Sequence, residues 1–322
     1  MSYYIGIDLG ATRTKFGLLN DEFKLLRYAE FNTPEFPGKK LLIQALEKQI
    51  LHLREKIKFK PKAIGIGVPG LVNPEKGLVY YLVNIPGWEN VYLKRRLENS
   101  LGVPVFIDND VNVMALAELY FGRAKGKKNV LCITLGTGVG GGLILEGKLY
   151  RGTSFSAGEV GHIPLNEEGP SCNCGGKACL ERYVGNRYIV EETIEKLKKG
   201  WSSPILSDLI KNDFSQLNPE ILSMALKKGD PLAEAIWQNV GRRIGIVLAG
   251  VVNLLNPEMV IIGGGVAGAG EFLFKAIRQT VKERAMRIPA EKVKIVPAKL
   301  KNDAGIIGAG ILAREMLKGG KR

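Results

Sequence analysis

The chain has 322 residues, 46 Lys and Arg against 32 Asp and Glu, and a formal net charge of +14; this length fits two domains of ordinary size. No apolar stretch is long enough to cross a bilayer. The N-terminus lacks the basic region and long apolar run of a secretory signal, so we expect a cytoplasmic protein. The positive charge is spread in short clusters, which favours a solvated surface over a nucleic-acid or membrane interface.

The first part of the chain alternates short apolar strands with helical patterns. Strands are predicted at 3–10, 15–19, 63–68 and 103–107, and helices at 41–58 and 111–121. The pattern then restarts, because an apolar strand at 130–135, a glycine loop at 136–142 and a strand at 143–145 repeat the arrangement of 3–19. Such a repeat indicates a duplicated α/β fold, in which ligands bind at the carboxyl ends of the strands.

The remaining pattern is mostly helical at 187–256, followed by a buried strand at 259–262 that runs into Gly263-Gly264-Gly265. Three glycines after a strand allow a base or ribose to lie against the backbone. They are equally consistent with a tight turn between a strand and a helix. Both interpretations stay open on the sequence alone.

Two further turns have the composition of phosphate-binding loops. In Asp8-Leu9-Gly10-Ala11-Thr12, the glycine allows close backbone approach, Thr12 offers a hydroxyl, and Asp8 can hold Mg²⁺ directly or through water. The loop at 136–142 contains a Gly-x-Gly-x-x-Gly match, but an apolar strand follows it where a dinucleotide-binding unit would continue into a helix. Two phosphate loops on related halves suit a nucleotide held between two domains.

The candidate reacting group is the pair Asn109-Asp110, at the end of a predicted strand. A carboxylate there can accept the proton of a substrate hydroxyl that attacks a γ-phosphate. Asn109 can exchange hydrogen bonds with neighbouring hydroxyls. The alternative is that Asp110 only caps the following helix.

A cluster of one histidine and three cysteines is the most specific signal. His162 precedes Cys172, Cys174 and Cys179, and four such ligands make a closed, structural Zn²⁺ site. A nucleic-acid zinc finger would need basic residues around the cluster, whereas acidic residues surround it: Glu159, Glu167, Glu168 and Glu181. The other histidine, His52, is expected at the surface, and Cys132 in the core.

These segments together resemble the ROK family of sugar kinases, in the hexokinase and actin-like ATPase superfamily, over almost the whole chain. The resemblance is carried by eight ordered segments: 8–12, 67–70, 84–88, 109–112, 135–138, 159–162, the cysteine cluster with Glu181, and 303–305. It implies an α/β fold of two ribonuclease-H-like lobes with a cleft between them. Their expected bounds are 1–118, with a helix at about 305–322 packing back on this lobe, and 119–304.

The resemblance also implies the activity, which is ATP-dependent phosphorylation of a hexose, with glucose to glucose 6-phosphate as the first choice. Asp110 would be the general base. The sugar would be bound by Gly70, Asn84, Asn109, Asp110, Glu159, His162 and Glu181. ATP and Mg²⁺ would be bound by Asp8, Gly10, Thr12, Lys15, Thr137, Gly138, Gly263, Gly264 and Gly265. Zn²⁺ would be bound by His162, Cys172, Cys174 and Cys179.

Two positions depart from the family pattern, since Ala11 and Ala178 stand where glycine is usual. Alanine is strained wherever φ is positive. The sequence leaves open N-acetylglucosamine, N-acetylmannosamine, fructose or allose as the sugar, polyphosphate as the donor, and a homodimer or homotetramer as the assembly. The family also contains sugar-responsive repressors with an N-terminal DNA-binding domain; because the first phosphate motif begins at Asp8, we expect a kinase that binds no nucleic acid.

Overall fold

The computed structural model describes residues 2–55, 60–82, 85–300 and 303–319, and divides into two compact units. The first unit comprises the described residues of Met1–Gly126, Gly142–Ala157 and Lys299–Arg322. The second comprises Lys127–Gly141 and Gly158–Ala298. These two units do not coincide with the lobes expected at 1–118 and 119–304. The division into those lobes stays a prediction.

Groups of strands are separated by helices along both units. The strands are β1 (Tyr3–Leu9), β2 (Arg13–Asn20), β3 (Leu25–Asn32), β4 (Ala63–Val68), β5 (Gly70–Asn73), β6 (Leu78–Leu82), β7 (Glu89–Val91), β8 (Val105–Asn109), β9 (Val130–Leu135), β10 (Val139–Leu145), β11 (Lys148–Tyr150), β12 (Met259–Gly263) and β13 (Lys294–Pro297). The helices are α1 (Gly38–Glu55), α2 (Leu93–Leu101), α3 (Asp110–Phe121), α4 (Glu181–Val184), α5 (Asn186–Lys198), α6 (Pro204–Leu209), α7 (Pro219–Lys227), α8 (Pro231–Leu255), α9 (Glu271–Arg284), α10 (Arg287–Lys292) and α11 (Ala304–Gly319).

Two five-stranded sheets have the same strand arrangement. One has the order β3-β2-β1-β4-β8, and the other has the order β11-β10-β9-β12-β13. In the first, β1, β4 and β8 are parallel, and in the second β9, β12 and β13 are parallel. A small antiparallel sheet, β5-β6-β7, belongs to the first unit. The predicted duplication of one α/β motif is therefore confirmed.

Three of the predicted bounds are wrong by a few residues. The strand expected at 103–107 is β8, at 105–109, so it ends on Asn109 itself. The glycine loop expected at 136–142 is shorter, because β10 begins at Val139 and its glycines pair as strand. Helix α1 begins at Gly38, and the expected continuation to 58 lies outside the described residues.

In the first unit, the sheet uses its two faces differently. The sequence Ile5-Gly6-Ile7 places both isoleucines in the core formed with α1 and α2, because side chains alternate across a strand. Gly6 faces the other way, towards α11, and a Cβ there would lie 2.0 Å from the carbonyl oxygen of Ile306. Gly65 on the neighbouring strand is in the same position relative to Ala309. The two glycines let the backbone of α11 rest directly on the sheet.

Replacing Gly65 with alanine is expected to destabilise the protein by at least about 2 kcal/mol, because the new Cβ would lie 1.8 Å from the backbone oxygen of Ala309 and only a shift of the helix relieves that clash. The melting temperature should fall by about 5 °C. Gly250→Ala is the matched control: Gly250 is an exposed position of helix α8 with no atom within 4 Å of its Cβ position apart from the helix's own backbone, so the substitution should stabilise by about 0.5–1 kcal/mol. Equal melting temperatures for the two variants would contradict the described packing.

The second unit is built on the long helix α8, which spans 25 residues. Gly241 and Gly245 lie one turn apart on α8, where a Cβ would lie 2.5 Å from Ala276 and from Thr280 of α9. The two helices therefore pack closely against each other. In the sequence, β12 lies between them. Among the residues that the structure describes, no helix is both long and apolar enough to cross a membrane.

Candidate active site and metal centre

The pair Asn109-Asp110 stands at the junction of β8 and α3. Asn109 is the N-cap of α3, since its Oδ1 accepts the N–H groups of Val111 at 2.8 Å and Asn112 at 3.3 Å. Its Nδ2 donates to the carbonyl of Gly70 at 3.2 Å. Asn109 is thus the N-cap, and Asp110 is the first residue of the helix, where its Oδ1 also accepts the N–H of Val111 at 2.9 Å. At most one N–H of the Asn109 amide is left for a ligand.

A second carboxylate, which the motifs did not predict, lies next to this pair. Asp108 is only 1% exposed. Its Oδ1 accepts the N–H of Asn109 and the side-chain amide of Asn112, both at 2.8 Å, and its Oδ2 accepts the Nε–H of Arg151 at 2.7 Å. The signal in the sequence was a charged residue at the end of an apolar strand. A buried charge needs a partner, so this position indicated an ion pair or a hydrogen-bonded carboxylate.

Asp8 lies at the same edge of the first sheet as Asp108. The register pairs Asp8 with Gly67 and Gly67 with Asp108 across three parallel strands. Burial raises the pKa of the Asp8 carboxyl, and the cross-strand partner Lys15 lowers it. The start of α11 packs onto this carboxylate, since a Cβ on Gly305 would lie 2.5 Å from its carbon. A partly exposed carboxylate at this sheet edge is the kind of oxygen ligand that a hard cation such as Mg²⁺ prefers.

The turn after β1 is closed by its own backbone. The N–H of Gly10 donates to the carbonyl of Arg13 at 3.0 Å, and the Thr33 hydroxyl donates to the carbonyl of Gly10 at 2.6 Å. A Cβ on Gly10 would lie 2.7 Å from the Arg13 oxygen, so glycine is required there by close approach. Thr12 is exposed at the tip, and Ala11 is not among the residues with positive φ. Alanine at position 11 therefore costs no backbone strain.

In the second unit, the loop after β9 lies against Glu181. The Oε2 of Glu181 accepts the N–H of Val139 at 2.9 Å, and a Cβ on Gly138 would lie 2.6 Å from the same oxygen. Thr137 is exposed beside them. Glu181, predicted only as a sugar ligand, thus also holds the predicted phosphate loop. Only the three-dimensional structure reveals this contact across some 40 residues of sequence.

The triglycine follows the neighbouring strand, β12. Its first residue, Gly263, pairs with Thr134 of β9, which places the two glycine turns at adjacent strand ends. Gly264 has φ +88°, and a Cβ there would lie 2.1 Å from the carbonyl oxygen of Leu135. Gly265 begins a short 3-10 helix that precedes α9. The triglycine is therefore a tight turn, in which Gly264 and Gly265 are exposed, and the interpretation as a base or ribose site stays a prediction.

The predicted metal ligands converge. Their donor atoms all lie within 4.8 Å of one another, with 3.7 Å between His162 Nδ1 and Cys172 Sγ and 3.6 Å between Cys174 Sγ and Cys179 Sγ. Zinc bonds of about 2.3 Å to sulfur and about 2.0–2.1 Å to nitrogen give a tetrahedron with edges of about 3.6–3.8 Å. Burial, with the neighbouring thiols, raises the pKa of Cys179 to about 12. Thiolates this close are stable only beside a cation, so the donor set fits Zn²⁺.

The two nitrogens of His162 face different groups. Nδ1 lies towards Cys172, whereas Nε2 lies 3.9 Å from the Oε2 of Glu159. Loss of hydration raises the pKa of the Glu159 carboxyl, His162 lowers it, and Glu181 raises it. A metal on Nδ1 would fix the ring and direct Nε2 towards the acidic residues.

Ala178, between the last two ligands of the cluster, has φ +53°. This is the left-handed region, where an alanine costs about 1–2 kcal/mol relative to glycine. The predicted strain is therefore present at Ala178 and absent at Ala11. Ala178 is fully buried, so its methyl group recovers part of that energy by packing.

The structure brings the predicted residues together in two groups, one within each unit. The first group is Asp8, Gly10, Thr12, Lys15, Gly70, Asn109 and Asp110. The second group is Thr137, Gly138, Glu159, His162, Cys172, Cys174, Cys179, Glu181, Gly263, Gly264 and Gly265. Asn84 lies outside the described residues. His52 is exposed and Cys132 is buried, as predicted.

A model of the ROK family matches residues 4–316. The chain belongs to the ROK family. Among its ROK relatives, a glucokinase from Halalkalibacterium halodurans is 36% identical over 97% of this chain and 95% of its own. A xylose repressor from Caldicellulosiruptor bescii is 32% identical over 94% of this chain and 76% of its own.

Solved ROK structures share the fold. The crystal structure of a ROK family glucokinase from Streptomyces griseus in complex with glucose and AMPPNP superposes with a TM-score of 0.83, at 31% identity, and covers 98% of this chain and 100% of its own. With the duplicated sheets described above, this confirms the predicted fold class. The resemblance to the ROK family stated from the motifs is confirmed as well.

Proposed function

We propose that this protein is a hexose kinase that transfers the γ-phosphoryl group of ATP to the C6 hydroxyl of glucose. The proposal rests on one observation above all: an Asn-Asp pair at the carboxyl end of β8, in a chain whose relatives include glucokinases over almost their whole length. The glucose and AMPPNP bound to the S. griseus relative support both substrates.

The chemistry follows from the side chains at the strand ends. Asp110 accepts the proton of the sugar hydroxyl while the oxygen of that hydroxyl attacks the γ-phosphorus. The bond between that phosphorus and the β–γ bridging oxygen breaks, and ADP leaves. Sugar hydroxyls are bound by Gly70, Asn84, Asn109, Glu159, His162 and Glu181. Phosphates and adenosine are bound by Gly10, Thr12, Lys15, Thr137, Gly138, Gly263, Gly264 and Gly265.

Two metals accompany this assignment. Asp8 would hold Mg²⁺ directly or through water, and the ion neutralises phosphate charge when bound. Its partly exposed carboxylate at the sheet edge supports that role. Zn²⁺ would be held by His162, Cys172, Cys174 and Cys179, as a structural ion that orients a sugar contact. The cytoplasmic location and the homodimer or homotetramer stay predictions.

An ADP-release assay tests the function directly. Glucose, N-acetylglucosamine, N-acetylmannosamine, fructose and allose are compared as acceptors with ATP as donor. Polyphosphate is tested as a donor by measuring the sugar phosphate formed, since its transfer releases no ADP. We expect the highest kcat/KM for glucose with ATP. A higher kcat/KM for an N-acetylhexosamine would retain the assignment as a kinase and reject glucose as its substrate. No sugar phosphate from any acceptor with either donor would reject the assignment as a kinase.

A transcriptional regulator is the second candidate, because the C. bescii xylose repressor matches this chain at 32% identity. A gel-shift series at increasing salt separates the two functions, since sequence-selective binding survives salt that removes nonspecific contacts. We expect only weak, salt-sensitive binding from the net charge of +14. Tight and sequence-selective binding would favour the regulator.

A further inference from the structure

The buried ion pair between Asp108 and Arg151 has no part in the reaction proposed above. The Asp108 side chain is 1% exposed, and the Arg151 side chain is 23% exposed. Such a pair contributes little net stability, because the loss of hydration at the buried carboxylate offsets most of its attraction to the partly exposed arginine. An apolar residue would fill the end of an apolar strand at lower cost. The pair therefore points to a geometric role.

Asp108 contacts residues that flank Asp110 in the sequence, one before it and one after it. Its Oδ1 binds the backbone N–H of Asn109, directly before Asp110, and the side chain of Asn112, two residues after it. Both bonds are 2.8 Å long. A single carboxylate oxygen thus fixes the peptide that leads into α3 and the first turn of that helix. Asp110 lies between these two fixed points.

Arg151 orients that carboxylate from a separate segment. Its Nε donates to the other oxygen of Asp108 at 2.7 Å, which sets the rotation of the carboxylate. The carbonyl of Arg151 accepts the N–H of Ala157 at 2.9 Å, so the loop that begins at Arg151 is closed by its own backbone. In the sequence this loop leads to Glu159 two residues later. Arg151 is therefore held at its backbone while its side chain holds Asp108.

We propose that Asp108 and Arg151 are positioning residues, which hold the Asp110 carboxylate in the orientation that proton transfer requires. Neither residue contacts the reacting atoms; both act through the backbone around Asp110. The inference rests on the proposed hexose kinase activity. A misplacement of about 1 Å can lower a rate by about 100-fold, so the fixed carboxylate has a large kinetic effect.

Three variants test the pair. Asp108→Asn keeps one acceptor oxygen for Asn109 but turns an amide N–H towards the Arg151 donor. Arg151→Met removes the charge at similar volume, and Arg151→Lys keeps the charge with a different donor geometry. We expect kcat to fall by about 10–100-fold in Asp108→Asn and Arg151→Met, and by less in Arg151→Lys. The glucose Kd, measured by calorimetry without nucleotide, should change by less than about 3-fold.

Non-additivity provides a second readout. Because both residues act through one contact, the double variant Asp108→Asn/Arg151→Met should lose no more kcat than the worse single variant. Multiplied losses in kcat would indicate two independent roles and overturn the proposal. This readout stays informative if the single variants lose some stability.

The matched control is Lys94→Met, which breaks a half-buried ion pair at the opposite end of the same strand. Lys94 bonds Glu98 at 2.6 Å and the carbonyl of Val105, where β8 begins. We expect a lower melting temperature and an unchanged kcat. An equal loss of kcat in Lys94→Met, or full kcat in Asp108→Asn, would overturn the positioning role. A wild-type enzyme inactive on every sugar would instead reject the proposed function, and the positioning role with it.

Discussion

Replacing Asp110 with asparagine is expected to lower kcat by about 1,000-fold while the glucose Kd stays within about 3-fold of wild type. The amide cannot accept the proton of the attacking hydroxyl, but it is nearly identical in shape. Its Oδ1 can still accept the N–H of Val111, as the carboxylate does at 2.9 Å. The start of α3 should therefore stay intact. Single-turnover ADP release measures the chemical step, and calorimetry measures glucose binding.

Asp208→Asn is the control for this substitution, because Asp208 is an exposed aspartate of α6 in the second unit. It should keep the wild-type kcat and Kd. If Asp110→Asn retains more than a tenth of the wild-type kcat, Asp110 is not the general base. If the Asp110→Asn variant loses glucose binding and turnover together, the main role of Asp110 is to bind the sugar. Another group must then accept the proton.

Much of the fold could be predicted because it is encoded in local patterns. Ile5-Gly6-Ile7 and the strand at 130–135 are short apolar runs that end in glycine turns, and such runs predict buried strands. Their repetition predicted the duplication without any long-range information. The strand bounds failed at β8 and β10 because glycine and asparagine pair as strand where tertiary contacts hold them. Propensity alone places these residues in turns.

The positions of the candidate site residues in the fold were predictable, whereas their contacts were less so. The alternation of strand and helix placed Asp8 and Asn109-Asp110 at strand ends, which share one edge of the sheet. The contact of Glu181 with Val139 and the pair of Asp108 with Arg151 span about 40 residues each. No periodicity encodes which distant charge completes a buried hydrogen bond, so only the folded chain reveals them.

Replacing Cys174 with serine is expected to remove the metal and lower stability by at least about 3 kcal/mol, measured as a fall in melting temperature. Cys174 is the exposed member of the cluster, so the loss reflects metal binding and not a core cavity. Without a metal on Nδ1, the ring of His162 loses its orientation. The glucose Kd should therefore rise by about 10-fold or more. Elemental analysis of the wild type should give about one Zn²⁺ per chain.

Cys132→Ala is the matched control, because Cys132 is buried in β9 and is not part of the cluster. It should lose some packing energy but keep its zinc content and its glucose Kd. A strong chelator should act on the wild type as Cys174→Ser does, and its effect should increase at low pH, since protons compete for the thiolates. A purified wild-type protein that is metal-free, stable and fully active would contradict the zinc assignment. The His162 ring would then be oriented by Glu159 at 3.9 Å and by the Cys172 thiol at 3.7 Å.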